Sequence, residues 1–253
     1  MKKQLVLMGT NDWVVPMFDR AANEHDIVAV FTRAPKPAGR KMELQKSPVH
    51  IWAEQRGLPI YTNINEYNFK PDFIVVASYG VILRDNVLNA APTINLHPSK
   101  LPMYRGPSPM RTALLNGDTT TAVCLMDVGP VVDAGDVHMC RDINIDINYT
   151  NDDLERIVSE ICADMLSDYL SDPDKYPGIP QIGEISHTRK YNNDDTIIDW
   201  NKTDLQIHNQ VRAIGGRTKI NGIDVKILNT KMNGDKMEIV TVQPAGKKPM
   251  DWK

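Results

Sequence analysis

The stretch Phe73-Ile74-Val75-Val76-Ala77 decides the fold, and Ser78-Tyr79-Gly80 follows it directly. An unbroken apolar run rich in Val and Ile predicts a strand buried on both faces, which is typical of a parallel sheet. Four other runs extend this set of predicted strands: Leu5 to Met8, Ile27 to Phe31, Thr93 to Leu96, and Ala122 to Met126.

Helices are predicted between these strands from their capping residues. Ser47 and Ser108 each precede a proline, which fits an N-cap followed by proline in the first helical position, and Gly117 is placed to end the second helix. The longest helix follows Thr150, where apolar residues recur at spacings of three and four. The alternation predicts an α/β fold with a Rossmann-like open, mostly parallel sheet.

The composition changes after the long helix. Ser171 to Gln181 contains three prolines and a glycine and is typical of a linker. Beyond it we predict a short helix capped by Thr203 and strands joined at two Asn-Gly turns, at Asn221 and Asn233. We therefore expect an N-terminal domain over residues 1–182 and a small, reduced C-terminal β domain over 183–253.

Composition excludes several classes of protein. Hydrophobic residues make up 42% and charged residues 24% of the 253 residues, close to the averages for globular proteins. The N-terminal apolar run is too short for a signal peptide, and no stretch is long enough to span a membrane. The three cysteines form no Cys-x-x-Cys pair, which argues against a disulfide framework or a zinc site. We expect a cytoplasmic protein in a reducing compartment.

The net charge of −3 hides an uneven distribution. Residues 186–253 carry twelve Lys and Arg against eight Asp and Glu, a net of +4, so the remainder carries −7. A basic C-terminal unit fits either a weak contact with a polyanion or an ordinary solvated face.

Polar side chains follow two of the predicted strands. Asn95 and His97 are two residues apart at the end of one strand, so they point the same way and face the edge of the sheet where ligands bind. Asp133 follows the next strand and has apolar neighbours, so it either titrates unusually or has a partner, for which His97 is a candidate. The alternative for Asn95 and His97 is that they only satisfy backbone groups of the loop, and turn chemistry explains Asp127 and Asp136. No spacing supports a metal site, and no glycine-rich phosphate loop follows the first strand.

Four motifs, taken in order, resemble the formyltransferase family that uses 10-formyltetrahydrofolate. They are Ser78-Tyr79-Gly80, Asn95-x-His97 with Pro98-Ser99-Lys100-Leu101-Pro102, Tyr104-Arg105-Gly106, and Asp133-Ala134-Gly135-Asp136. The resemblance implies the formyltransferase fold and a catalytic set of Asn95, His97 and Asp133. It also implies a set of residues that bind the folate: Ser78, Tyr79, Gly80, Ser99, Lys100, Leu101, Pro102 and Gly129.

The stretch from Phe31 to Arg40 resembles a loop of the methionyl-tRNA formyltransferases within that family. This implies initiator methionyl-tRNA as the acceptor, with contacts from Arg33, Lys36, Arg40 and Lys41. From the residues alone, Arg33 to Lys46 has five basic residues against one acid, and its prolines and glycine predict an irregular loop. We expect a monomer that does not bind membranes.

The implied reaction is attack of an amine on the formyl carbon. Asn95 would donate a hydrogen bond to the developing oxyanion, cationic His97 would supply a second donor, and Asp133 would hold His97 charged and accept the amine's proton through water.

The chain departs from the methionyl-tRNA subfamily in three places. The C-terminal domain is shorter, Gly215-Gly216-Arg217-Thr218 replaces a Pro-Trp-Pro segment, and the Asp133 loop is two residues longer. Two alternatives therefore stay open: a sugar-nucleotide N-formyltransferase, and a non-catalytic protein that binds tRNA or folate.

Overall fold

The computed structural model describes residues 1–38 and 42–252. A seven-stranded sheet carries the site and is flanked by helices on both faces, with a separate four-stranded sheet near the C-terminus. The strands are β1 Gln4–Gly9, β2 Asp26–Phe31, β3 Lys36–Ala38, β4 Glu43–Gln45, β5 Ile60–Tyr61, β6 Phe73–Ala77, β7 Thr93–His97, β8 Thr120–Asp127, β9 Val137–Asn144, β10 Gly216–Ile220, β11 Ile223–Asn233, β12 Lys236–Pro244 and β13 Met250–Asp251. The α-helices are α1 Val15–Glu24, α2 Pro48–Gln55, α3 Asp85–Leu88, α4 Pro109–Asn116, α5 Asn151–Ser171 and α6 Asp204–Ile214.

The large sheet has the order β5-β2-β1-β6-β7-β8-β9. Its first five strands pair in parallel, which confirms the predicted open, mostly parallel sheet. β8 runs antiparallel to β7, and β9 runs antiparallel to β8. The grouping of Ala122 to Met126 with the parallel strands was therefore wrong, because an apolar run indicates burial but not strand direction.

The predicted helix ends at Ser47, Gly117 and Thr150 are confirmed, whereas Ser108 stands at the N-cap position of α4 without a side-chain capping hydrogen bond. The Ser47 hydroxyl accepts a hydrogen bond from the backbone N–H of His50, and Gly117 ends α4 with φ of 75°. Thr150 and Asp153 form a reciprocal capping box at the start of α5. These side chains satisfy backbone groups that a helix terminus leaves without intrahelical partners.

Two apolar layers cover the sheet. One face packs against α1, α4 and α5, with Phe18, Leu96 and Leu125 among the side chains removed from solvent. The other face holds an aromatic cluster in which Phe31 lies near Tyr61, Tyr67 and Phe69. Strands covered on both faces stay in fixed register, so the polar residues that follow them are held in place.

The C-terminal sheet has the order β10-β11-β12-β13 and is antiparallel. The first predicted hairpin turns at Asn221-Gly222, with φ of 49° and 78°. In the second hairpin Asn233 pairs with Lys236, so the turn residues are Gly234 and Asp235. Both hairpins are confirmed, with the second turn displaced by one residue.

Two other expectations need correction. β3 and β4 form an antiparallel pair inside the basic segment predicted to be irregular. Cys124 on β8 and Cys140 on β9 are directly opposed and form a disulfide, whereas Cys162 is free and buried. The cysteine spacing held no sign of this bridge, because the antiparallel turn between β8 and β9 creates the pairing.

Within the described ranges, no helix has both the length and the apolar character needed to cross a membrane.

Candidate active site

Asn95 and His97 lie on one side of β7, close to its carboxyl end, as their spacing predicts. Asn95 is flanked by Val76 of β6 and Met126 of β8. Its side-chain amide forms no hydrogen bond with another residue among those described, so both its donor and its acceptor are available to a ligand.

Both ring nitrogens of His97 face oxygen acceptors. Nε2 lies 2.9 Å from the backbone oxygen of Tyr104, and Nδ1 lies 3.6 Å from Oδ2 of Asp133. Because a carbonyl only accepts, Nε2 carries a proton and donates it there. The Nδ1 distance is longer than a normal hydrogen bond. Nδ1 is therefore the nitrogen with freedom to act on a substrate.

Asp133 is held by the Tyr104-Arg105-Gly106 segment. The backbone N–H of Gly106 donates to Oδ2 of Asp133 at 2.7 Å, and that same oxygen faces His97. The structure thus brings His97 and Asp133 together, as the sequence predicted, and shows that a neighbouring backbone amide fixes the carboxylate.

Three residues of this site adopt a backbone conformation that side chains disfavour. Ser78, Tyr104 and Asp133 have φ of 51°, 60° and 52°. Each such residue costs on the order of 1–3 kcal/mol and persists only where its surroundings fix it, which is common at active sites. Sequence patterns for strands and helices gave no indication of this.

A segment that the sequence did not assign to the site forms hydrogen bonds with the Tyr104-Arg105-Gly106 segment. We call residues 179–188 the strap. Ser186 accepts from the backbone N–H of Tyr104 through Oγ and from that of Arg105 through its carbonyl. The Thr188 hydroxyl lies so close to Gly106 that a Cβ there would overlap it. Ser186 and Thr188 thus hold the Tyr104-Arg105-Gly106 segment, whereas the sequence assigned them no role in the site and predicted a linker only as far as Gln181.

The residues expected to bind folate lie in different surroundings: some are beside Asn95, and others are turned into the fold or towards solvent. Ser78, Tyr79 and Gly80 follow β6, beside Asn95, and burial raises the pKa of the Tyr79 hydroxyl to about 12. The Ser99 hydroxyl is turned into the fold and donates to the carbonyl of Met103, while Lys100 is exposed and pairs with Asp142.

The remaining residues of that expected set lie in turns. Leu101 and Pro102 form a cis peptide bond next to Ser99, and Gly129 lies in the loop that leads to Asp133. Of the side chains expected to contact tRNA, Arg33 and Lys36 are exposed, and Arg40 and Lys41 lie outside the described residues.

A groove of about 840 Å³ lies away from His97, on the C-terminal sheet. We call it the basic groove, since its lining includes Arg217, Lys219, Lys226 and Lys247, with Asp194 and Asp224 as its acids. Arg217 is directly opposite Lys226 on the paired strands, an arrangement of like charges that destabilises a sheet unless an anion lies between them.

Trp200 lies beside the basic groove. It is 50% exposed and donates from Nε1 to the hydroxyl of Thr218, which lines the groove. Trp252 is also exposed, whereas Trp13 and Trp52 are buried.

Family models match both parts of the chain. Residues 2–170 match the formyl transferase model, and residues 190–238 match the model of the formyl transferase C-terminal domain. The methionyl-tRNA formyltransferase of Rickettsia bellii is 31% identical over 249 residues, covering 92% of this chain and 82% of that protein.

Solved structures share the fold. The methionyl-tRNA formyltransferase from Clostridium thermocellum aligns with a TM-score of 0.69 and 17% identity, covering 96% of this chain and 99% of the other. WlaRD, a sugar 3N-formyl transferase crystallised with dTDP and 5-N-formyl-THF, aligns with a TM-score of 0.71 and 23% identity, covering 92% and 87%.

Proposed function

Because the chain belongs to the formyl transferase family and is related to methionyl-tRNA formyltransferases over nearly its whole length, we propose that it formylates the amino group of methionine on initiator tRNA, with 10-formyltetrahydrofolate as the donor. The observation that carries the proposal is the convergence of Asn95, His97 and Asp133 inside the matched region. The donor, when bound, supplies an electrophilic formyl carbon.

The Asn95 amide is suited to stabilise negative charge on the formyl oxygen. It lies at the carboxyl end of a parallel strand and has no hydrogen-bond partner among the described side chains. A neutral amide donor that is already in place stabilises an oxyanion without reorganising in the reaction. The chemistry of this free amide fits a formyl donor at this edge of the sheet.

His97 and Asp133 are suited to handle the protons. Nε2 of His97 is held by the carbonyl of Tyr104, which leaves Nδ1 to protonate N10 of the folate as the bond between N10 and the formyl carbon breaks. Asp133 faces Nδ1 of His97 and is suited to accept the proton of the attacking amine, directly or through a water. The N–H of Gly106 keeps the carboxylate in this orientation.

The basic groove supports tRNA as the acceptor. Four cations line it, and the exposed Trp200 lies beside it, bonded to the Thr218 hydroxyl. Cations neutralise backbone phosphates, and an exposed aromatic ring offers a stacking surface for a base. Arg33 and Lys36 add exposed positive charge on the segment before β4.

The proposal is tested by incubating the purified protein with 10-formyltetrahydrofolate and either initiator methionyl-tRNA or a dTDP-linked amino sugar. We expect formylmethionyl-tRNA and no formylated sugar. Formylation of the sugar alone would show that the acceptor is an amino sugar and not methionyl-tRNA. If 5-formyltetrahydrofolate bound but neither acceptor was formylated, the protein would be a binding protein and the proposal would be wrong.

A further inference from the structure

Gln181 is the one strap side chain that bonds to both segments holding Asp133, among the residues that the structure describes. Its Oε1 accepts from Nη2 and Nε of Arg105, at 2.6 and 3.1 Å. Its Nε2 donates to the backbone oxygens of Asp133 and Gly135, at 3.0 and 2.9 Å. Both donors and both acceptor sites of this amide are therefore used.

One bonded segment contacts the catalytic pair and the other carries Asp133, whereas Asn95 and His97 lie on β7. The segment containing Arg105 supplies the Tyr104 carbonyl to His97 and the Gly106 amide to Asp133. The other segment is the loop that carries Asp133 itself. Tyr104 and Gly106 of the first segment thus bond to the two residues that lie 3.6 Å apart. Gln181 joins the side chain of Arg105 to the backbone of the Asp133 loop.

The loop needs such support, since its own conformation is strained. Asp133 has φ of 52°, and a Cβ at Gly135 would overlap the backbone carbonyl of Asp127. The loop is thus confined on one side by β8, while its carbonyls at Asp133 and Gly135 point to Gln181. A donor that satisfies both carbonyls selects this one arrangement of the loop.

We propose that Gln181 is a positioning residue for formyl transfer: its amide holds the Asp133 loop at a fixed distance from the Arg105 segment and so sets the orientation of Asp133 towards His97. The inference rests on the proposed function. Support of the site through Ser186 and Thr188 also continues past the boundary expected at residue 182.

The test compares Gln181→Glu with the control variant Glu184→Gln. Glutamate has the shape of glutamine and keeps an acceptor for Arg105. It presents an oxygen in place of Nε2 to the carbonyls of Asp133 and Gly135, so the two hydrogen bonds to the loop are lost. Glu184 is an exposed residue of the same strap. The variants are assayed with methionyl-tRNA, and donor-site binding is titrated with 5-formyltetrahydrofolate.

For Gln181→Glu we expect kcat to fall between about tenfold and a hundredfold, since a small misplacement of a reacting group has effects of that order. KM for tRNA, affinity for 5-formyltetrahydrofolate and Tm should stay within about twofold or a few degrees of wild type. Glu184→Gln should match wild type throughout.

The inference is overturned if kcat of Gln181→Glu is unchanged, or if KM, folate affinity and Tm all deteriorate together with kcat, which indicates general structural damage. Should Gln181→Glu fail to fold, Gln181→Met, which removes the same donors without adding charge, is judged by the same criteria. A wild-type protein that forms no formylmethionyl-tRNA refutes the proposed function, whereas an active wild type with an equally active Gln181→Glu refutes only this inference.

Discussion

At the scale of single residues, the surroundings of each side chain determine which of its hydrogen-bonding atoms remain available to a substrate. His97 is 4% exposed and has one nitrogen committed to the Tyr104 carbonyl, so only Nδ1 is available for chemistry. Asn95, two residues earlier, has no such commitment among the described residues. A hydrogen-bond donor that the protein itself does not use is the feature expected of an oxyanion-stabilising group.

Replacing Asn95 by alanine should therefore abolish most turnover and leave donor binding intact. Loss of one oxyanion donor costs on the order of 10²–10³ in kcat, because the transition state loses a hydrogen bond that the ground state scarcely uses. The measurement is kcat with methionyl-tRNA, together with a titration by 5-formyltetrahydrofolate. Asn68→Ala, at an exposed asparagine, is the control. Wild-type turnover in Asn95→Ala would exclude the assigned role.

Most of the catalytic set could be predicted from the sequence, and the parts that could not have a common cause. Asn95 and His97 share a strand, so their spacing alone places them on one side of it. Gln181 is 48 residues from Asp133 and lies in a proline-rich stretch without a periodic pattern. No local sequence pattern identifies a glutamine that donates to backbone carbonyls, because every loop contains such carbonyls.

At the scale of elements, the hairpin of β10 and β11 carries an unfavourable pairing. Arg217 and Lys226 are directly opposed across the two strands and line the basic groove. Like charges in this position destabilise a sheet by a few tenths to about 1 kcal/mol. Such a pairing is expected where a surface binds an anion, and the proposed anion is the tRNA backbone.

The variant Lys226→Glu should separate folding from tRNA binding. It converts the opposed cations into an ion pair, so Tm should stay the same or rise, while KM for methionyl-tRNA rises and becomes less dependent on salt. Steady-state assays at two ionic strengths and thermal unfolding give both values. Lys70→Glu, on the segment before the amino end of β6, is the control. An unchanged KM in Lys226→Glu would exclude the groove as a tRNA contact.

The antiparallel pair of β8 and β9 carries the disulfide between Cys124 and Cys140, with buried Cys162 as the free thiol among the described residues. Thiol titration of protein purified without reductant and then denatured should detect one thiol, and three after reduction. Closing a loop of this length stabilises a fold by about 3 kcal/mol. We therefore expect Cys140→Ser to lower the free energy of unfolding in oxidising buffer only. Three free thiols before reduction would exclude the bridge.

At the scale of the whole molecule, α6 joins the two sheets. His208 is fully buried on this helix, where Nε2 faces the carbonyl of Ile147 and Nδ1 faces the hydroxyl of Thr230. Arg212 lies one turn further along and donates to the carbonyls of Asp146 and Tyr149. One helix thus ties the C-terminal sheet to the segment that precedes α5.

Burial lowers the pKa of His208 below its ordinary value, so the neutral ring is the form that stabilises the fold. The stabilisation is complete above the unfolded pKa of about 6.5 and is lost as the pH falls below it towards the folded pKa. The difference in free energy of unfolding between wild type and His208→Gln should therefore shrink between pH 7.5 and pH 5. Urea unfolding measures it, with exposed His187→Gln as the control. A difference independent of pH would contradict this account.

The sequence by itself determined the strands of the parallel core, the capped helices, the two hairpins and the order of motifs, because each depends on residues close together in the chain. The direction of β8, the Cys124–Cys140 bridge, the opposed cations of the basic groove and the strap across the Asp133 loop were decided only by the tertiary structure. Each of these is a contact between distant segments, whose geometry follows from how the sheets and helices pack. The chemistry of His97 could therefore be predicted from its own strand, whereas what holds Asp133 beside it could not.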